Sequence, residues 1–214
     1  MNYSAIFFDL DGTLVNTIDY WAEAYMHSLR DIGVDISGQD FLDEIYVLNT
    51  SFDEIMQDIG VDTNTANIFR KKRDQRYEEI LRTRPLWFAG TEELLRKTAD
   101  KYPTGIVTGS HKSYIEAMEE QISFSPLVRT IVAADDTPGH GKPEPDGLLL
   151  AADRLGVDPK ACIYIGDQQF DVEAANAAGM VSCLLWTEFT PATAGEEAEI
   201  CVESFGEIRE LLEL

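Results

Sequence analysis

The chain has 214 residues, 44% of them hydrophobic and 26% charged, an ordinary globular composition with length enough for one domain carrying a smaller inserted one. A net charge of −22 and a pI near 4.3 speak against nucleic-acid or anionic-membrane partners, both of which select Lys and Arg. The cysteines, Cys162, Cys183 and Cys201, lack CxxC spacing and point to neither a disulfide framework nor a zinc site. The opening MNYSAIFFDLDG has no basic region, and no apolar run reaches the length of a membrane span, so the expected location is the cytoplasm.

Residues 4–8 form a short apolar run broken by Asp9-Leu10-Asp11-Gly12-Thr13. Such a run reads as a buried strand ending in a loop. From about 17 to 81 the rhythm is helical. Trp21, Ala24, Tyr25, Ser28, Leu29 and Ile32 recur at helical spacing, and Gly33 suits a helix stop. Phe41, Leu42, Ile45 and Leu48 predict a second helix. Ser51 is placed to cap a third, carrying Phe52, Ile55, Met56 and Ile59 and stopped by Gly60. A fourth spans about 63–81. No strand pattern interrupts this stretch.

Beyond Pro85 helices and strands alternate. Helices are predicted at 91–99, 113–121, 146–155, 168–177 and 205–212, and strands at 104–107, 130–133, 161–165 and 180–184. Alternation of this kind means right-handed crossovers and a doubly wound parallel α/β sheet covered on both faces. The loops after the strands then gather at one edge, where ligands bind. Asp9, Asp11, Thr108, Lys142, Asp167 and Asp171 are all expected in that crevice.

Carboxylates so close repel one another and need a cation. Lys142 is one candidate, and a divalent ion such as magnesium, held by Asp9 and Asp167, is another. Thr108 offers a hydroxyl, and the loop at Gly109 offers backbone N–H groups beside a helix start, an arrangement that binds anions. Asp9 and Asp11 stand two apart where the strand gives way to loop. One can attack phosphorus and the other can serve as general acid and base.

The segments Asp9-Leu10-Asp11-Gly12-Thr13, Val107-Thr108-Gly109-Ser110, Gly141-Lys142-Pro143-Glu144-Pro145-Asp146 and Gly166-Asp167 with Asp171 resemble, in order, the four motifs of the haloacid dehalogenase (HAD) superfamily. The helical insertion resembles the small α-helical cap of its phosphoglycolate phosphatase-like members. The resemblance implies a Rossmann-like catalytic core (1–15 and 88–214) and a cap domain (16–87). It also implies a Mg2+-dependent phosphatase acting on a small phosphorylated metabolite through an aspartyl-phosphate. Asp9 would be nucleophile and metal ligand. Asp11 would be the acid/base and touch the metal through its carbonyl. Thr108 and the Gly109 N–H would hold the phosphoryl group, and Lys142 would neutralise charge. Asp167 would bind the metal, with Asp171 supporting it through water or orienting Lys142. An aspartate at position 11 favours phosphoryl transfer over dehalogenation. Trp21 stands where the β-phosphoglucomutases carry a cap His, which makes a phosphotransferase the second reading. A non-catalytic phosphate-binding module is the third.

Specificity is expected in the cap, at Trp21 and at Asn49 in the loop 46–51. Core packing explains Tyr25 better than substrate contact, and Trp21 is open to either role. The basic run Arg70, Lys71, Lys72, Arg73, Arg76, Arg82 and Arg84 reads as a solvated helix face partnered by Asp74, Glu78 and Glu79. His27, His111 and His140 lack metal-ligand spacing and read as structural or surface residues. Monomer and homodimer stay equally open.

Overall fold

The computed structural model describes residues 3–46, 50 and 52–214. Its chain separates into two compact units, Met1–Asn16 with Pro85–Leu214, and Thr17–Arg84.

In the first unit β1 (Ala5–Phe8) is buried along its whole length, as expected of a central strand packed on both faces. The second unit follows. Its helix α1 (Ile18–Arg30) buries Ile18, Ala22, Ala24, Tyr25, Ser28 and Leu29. A short α2 (Gly38–Asp40) opens with a reciprocal cap, in which Ser37 Oγ accepts from the Asp40 N–H and the Asp40 carboxylate accepts from the Ser37 N–H. It runs into a π-helical turn over Phe41–Tyr46. Helix α3 (Phe52–Asp58) and the long α4 (Thr63–Leu81) complete the unit. Asp62 caps α4 by accepting from the N–H groups of Asn64 and Thr65 at 3.0 and 3.2 Å. Leu48 and Ser51, expected in the second helix and at the cap of the third, lie outside the described residues.

The apolar faces of these helices meet around Tyr25, Leu29, Phe41, Ile45, Phe52 and Met56. Into that cluster goes Arg73, only 7% exposed, which corrects the expectation of a uniformly solvated basic face. Its guanidinium lies 4.4 Å from the Trp21 ring centre, 4.9 Å from Tyr25 and 4.7 Å from Phe52. Two of its nitrogens bind one oxygen of Asp74 at 2.9 and 2.7 Å. A weakly hydrated planar cation can be buried on aromatic faces when a carboxylate compensates its charge. Of the neighbouring bases, Arg82 pairs with Glu78 and Arg76 reaches Glu79 as expected, whereas Arg70, Lys72 and Arg84 pair with Asp53, Asp31 and Glu23, carboxylates of other helices or loops. Trp21 is part of the same cluster, in edge contact with Tyr25 and Tyr77.

The first unit resumes with α5 (Thr91–Lys101), β2 (Thr104–Val107), α6 (Lys112–Glu119), β3 (Thr130–Val132), α7 (Asp146–Leu155), β4 (Cys162–Gly166), α8 (Gln169–Ala178), β5 (Val181–Leu185), β6 (Ile200–Val202) and α9 (Phe205–Leu211). The strands of this sheet pair in parallel, in the order β3-β2-β1-β4-β5-β6. The three-residue β6 was not foreseen. It is an edge strand made by pairing with β5, and an isolated Ile-Cys-Val has too little pattern to be read alone. Phe7, Val107, Val132, Leu148, Ala151, Tyr164, Ala174 and Ala175 pack on one side of the sheet. Strand order reverses between β1 and β4, and in such sheets the crevice beyond the strand ends at that point is the binding site. Among the described residues no helix is long and apolar enough to cross a membrane.

Candidate active site

Register brings the strand ends level. Phe8 pairs with Ile165 of β4 on one side and with Ile106 of β2 on the other. Asp9 therefore leaves β1 beside the points where β4 delivers Asp167 and β2 delivers Thr108. The Asp9 N–H remains in the ladder, donating to the Ile165 carbonyl at 2.8 Å, as does that of Thr108 to Val132 at 2.9 Å. The backbone under the site is thus as rigid as the sheet.

Asp9, Asp167 and Asp171 are buried, at 5%, 0% and 1% exposure. Each offers an oxygen, and the three oxygens lie within 4.8 Å of one another. The Lys142 ammonium is 2.9 Å from Asp9 Oδ1 and 2.5 Å from Asp171 Oδ1. Asp171 is fully engaged, since its other oxygen accepts from the N–H groups of Asp167 and Gln168 at 3.1 and 2.9 Å and caps α8. Asp167 accepts from Thr13 Oγ1 at 2.8 Å and Gln168 Nε2 at 2.7 Å, one donor on each oxygen. Asp9 differs from both. Its Oδ1, though close to Lys142, accepts no hydrogen bond of good geometry.

The charges are poorly matched. Burial pushes Asp9 well above the usual carboxylate range, and Asp171, Asp167 and Asp11 push it further against the pull of Lys142. Burial and Asp171 raise Asp167 to about 7. For Lys142 burial works against the charge, but Asp171 and Asp9 outweigh it and the pKa lies above its ordinary value. Buried carboxylates around one lysine, one of them with an oxygen that accepts no hydrogen bond, are a donor set suited to a hard divalent cation. The residues present therefore fit Mg2+.

Asp11 occupies the rim, half-buried. Its Oδ2 accepts from Ser110 Oγ at 2.7 Å and from Thr108 Oγ1 at 3.3 Å. A Cβ built on Gly109 would meet nothing within 4 Å, so its backbone is open to a ligand. Gly12 is the reverse case. It adopts φ +81°, and a Cβ there would lie 2.6 Å from Asp167 Oδ2 and 2.7 Å from Oδ1. Left-handed backbone and carboxylate contact both exclude a side chain. Gly12→Ala should destabilise the fold by about 2 kcal/mol or more, read as a lower denaturant midpoint. An unchanged midpoint would refute the close approach.

Asp9, Asp11, Thr108, Gly109, Lys142, Asp167 and Asp171 thus share one strand-end crevice of the first unit. Trp21 belongs to the aromatic cluster of the second, and Asn49 lies outside the described residues. Sequence reasoning missed Thr13, Ser110, Gln168 and Tyr164. The first three are neighbours of predicted residues, and a search for hydroxyl or amide groups flanking each motif would have found them. The Tyr164 hydroxyl, which joins Lys142, Asp171 and the Val107 carbonyl, had no such signal. Among the described residues a second trio, His140, Glu144 and Asp146, is exposed, and His140 is hydrogen-bonded to Glu144 at 2.7 Å.

Comparison with known proteins agrees with this geometry. The family model for haloacid dehalogenase-like hydrolases matches residues 6–185. A fructose-1-phosphate phosphatase of Escherichia coli is 28% identical over 184 residues, 83% of this chain and 94% of that protein. A phosphoglycolate phosphatase of Shigella boydii is 26% identical over 200 residues, 82% of this chain and 78% of that protein. The crystal structure of CbbY from Rhodobacter sphaeroides in complex with phosphate superimposes with a TM-score of 0.83 at 20% identity, over 99% of this chain and all of that one. With four motif segments converging on one crevice and the family match covering most of the core, the chain belongs to the haloacid dehalogenase-like hydrolase family and is an enzyme of its phosphatase kind.

Proposed function

We propose that this chain is a cytoplasmic, Mg2+-dependent phosphatase that hydrolyses a small phosphorylated metabolite through an aspartyl-phosphate on Asp9. The observation that carries the reading is the Asp9 carboxylate itself. It is buried at the sheet switch point, flanked by Lys142 and Asp167, and keeps an oxygen with no hydrogen bond.

In the proposed reaction Asp9 attacks phosphorus and Asp11 protonates the departing alkoxide. Asp11 then takes a proton from the water that cleaves the aspartyl-phosphate. The Thr108 hydroxyl and the Gly109 N–H hold phosphoryl oxygens, and Lys142 compensates the charge gathered on them. Asp9, Asp167 and the Asp11 carbonyl would hold Mg2+, which when bound supplies the positive charge that lets a carboxylate approach a phosphoryl anion. Asp171, with both oxygens engaged, is assigned to orienting Lys142 rather than to direct ligation. The helical unit is proposed as the cap, with selectivity in Trp21 and Asn49.

The test is inorganic phosphate release from a panel that includes phosphoglycolate and fructose 1-phosphate, the substrates named for the relatives. Release in millimolar Mg2+ should exceed release in EDTA by about 100-fold or more. Equal rates in both would remove the metal from the reading. No release from any phosphomonoester would remove the reading itself.

A further inference from the structure

We propose that Tyr164 is a positioning residue for Lys142, its buried hydroxyl accepting a hydrogen bond from the ammonium beside the one to Asp171 and so fixing the direction in which that charge meets Asp9. The inference rests on the phosphatase reading above and adds a residue to its machinery.

A lysine ammonium has three donors. Here it hydrogen-bonds Asp171 Oδ1 at 2.5 Å and Tyr164 Oη at 3.0 Å, and it faces Asp9 Oδ1 as an ion pair at 2.9 Å. The two carboxylates alone would leave the ammonium free to swing about the line between them, and the shorter contact would draw it towards Asp171. An acceptor out of that line removes the freedom. Tyr164 can accept because its own proton is committed elsewhere. Its hydroxyl donates to the Val107 carbonyl at 2.8 Å, while the contact to Asp171 Oδ1 is longer at 3.3 Å. A phenol has one proton to give, and the shorter bond takes it.

The anchor is stiff. Tyr164 sits mid-strand in β4, 1% exposed, in ladder with Phe7 of β1. Val107 is the last residue of β2, directly before Thr108. One hydroxyl thus ties together the strand that leads to Thr108 and the loop that carries Lys142. The Phe170 ring helps as well, its centroid 5.4 Å from the ammonium, within cation–π range. Phenylalanine at 164 would keep the strand and the ring and remove the hydroxyl, both the acceptor for Lys142 and the donor to Val107, and the Lys142→Met background separates the two losses.

The experiment compares wild type, Tyr164→Phe, Lys142→Met and the double variant, with Asp9→Asn as control, on p-nitrophenyl phosphate in Mg2+. Tyr164→Phe should lower kcat by about 10- to 100-fold, as a misdirected catalytic group does, with KM within about twofold. In the Lys142→Met background the same substitution should change the residual rate by less than about twofold, because the group it positions is gone. Unchanged kcat in Tyr164→Phe, or equal losses in both backgrounds, would overturn the proposal. Were Tyr164→Phe unfolded at assay temperature, site-specific 3,5-difluorotyrosine would replace it. That residue keeps the bond to Val107 and weakens the oxygen as an acceptor, so a lower kcat supports the proposal and an unchanged one overturns it. A wild type inactive on every phosphomonoester would instead count against the phosphatase reading.

Discussion

Asp9→Asn should abolish phosphate release, with kcat lower by about 10^4-fold or more, the order lost when a covalent nucleophile is removed. The amide has the shape of the carboxylate but no anionic oxygen to attack phosphorus. The same variant should melt at a higher temperature than the wild type when divalent cations are removed. Asp9 is buried among Asp171, Asp167 and Asp11, and its pKa is raised in the fold. A carboxyl with a raised folded pKa costs stability above its unfolded value, and a neutral isostere is relieved of that cost. Activity and circular-dichroism melting on one preparation separate the two roles. Loss of activity with a raised midpoint assigns Asp9 to chemistry at the expense of stability. Loss of both would mean that Asp9 holds the fold together.

Lys142→Met should be the most destabilising single change in the site, by about 3–5 kcal/mol at neutral pH without metal, the usual result of removing one partner from a buried ion pair. It takes away a cation that Asp9 and Asp171 share. The pH dependence follows from the raised carboxyls. Asp167 titrates near 7 in the fold, well above its unfolded range. Between those values the folded state holds a proton that the unfolded chain has lost, so stability falls as pH rises through that window. The deficit of Lys142→Met should therefore be greatest near pH 8 and smallest near pH 4. Mg2+ should raise the melting midpoint of the wild type more at about pH 8 than at about pH 5, because it binds the ionised carboxylates. Urea denaturation with EDTA or Mg2+ across that range measures both. A deficit independent of pH would show that Lys142 acts by packing and not by charge.

Trp21 and Arg73 show how far local pattern reaches. The helical period placed Trp21 and Tyr25 on one face of α1, and they do lie in the unit's aromatic cluster. Arg73, by the same reasoning, belonged to a solvated basic run. Its burial depends on three rings from α1 and α3 meeting around it, with Asp74 next in sequence closing the charge. Periodicity reports which way a residue faces on its own helix, not what other helices bring to it.

Asp9, Lys142 and Asp167 were legible for a different reason. Asp9 and Asp167 stand at the ends of apolar runs and Lys142 in the long loop that follows another, and parallel topology compels the loops after such runs to one edge. The acidic break in Asp9-Leu10-Asp11-Gly12-Thr13 was visible without any fold. So was the need for a cation, because like charges brought together by topology demand one. Of Asp171, the sequence left open whether it supports a metal or orients lysine. Only the folded site shows both its oxygens engaged, one by Lys142 and the other by two backbone N–H groups.

By itself, then, the sequence determined the alternation of strands and helices, the crevice and the residue types that meet there, since these follow from burial pattern and chain connectivity. Tertiary structure alone decided which oxygen stays free of hydrogen bonds, and that a tyrosine in the middle of the core strand Cys162–Gly166 turns its hydroxyl into the site. In one dimension Tyr164 is one more large buried residue. It gains a role only because β2 and the Lys142 loop come within hydrogen-bond reach of its oxygen, and such distances are set by packing across the sheet, not by spacing along the chain.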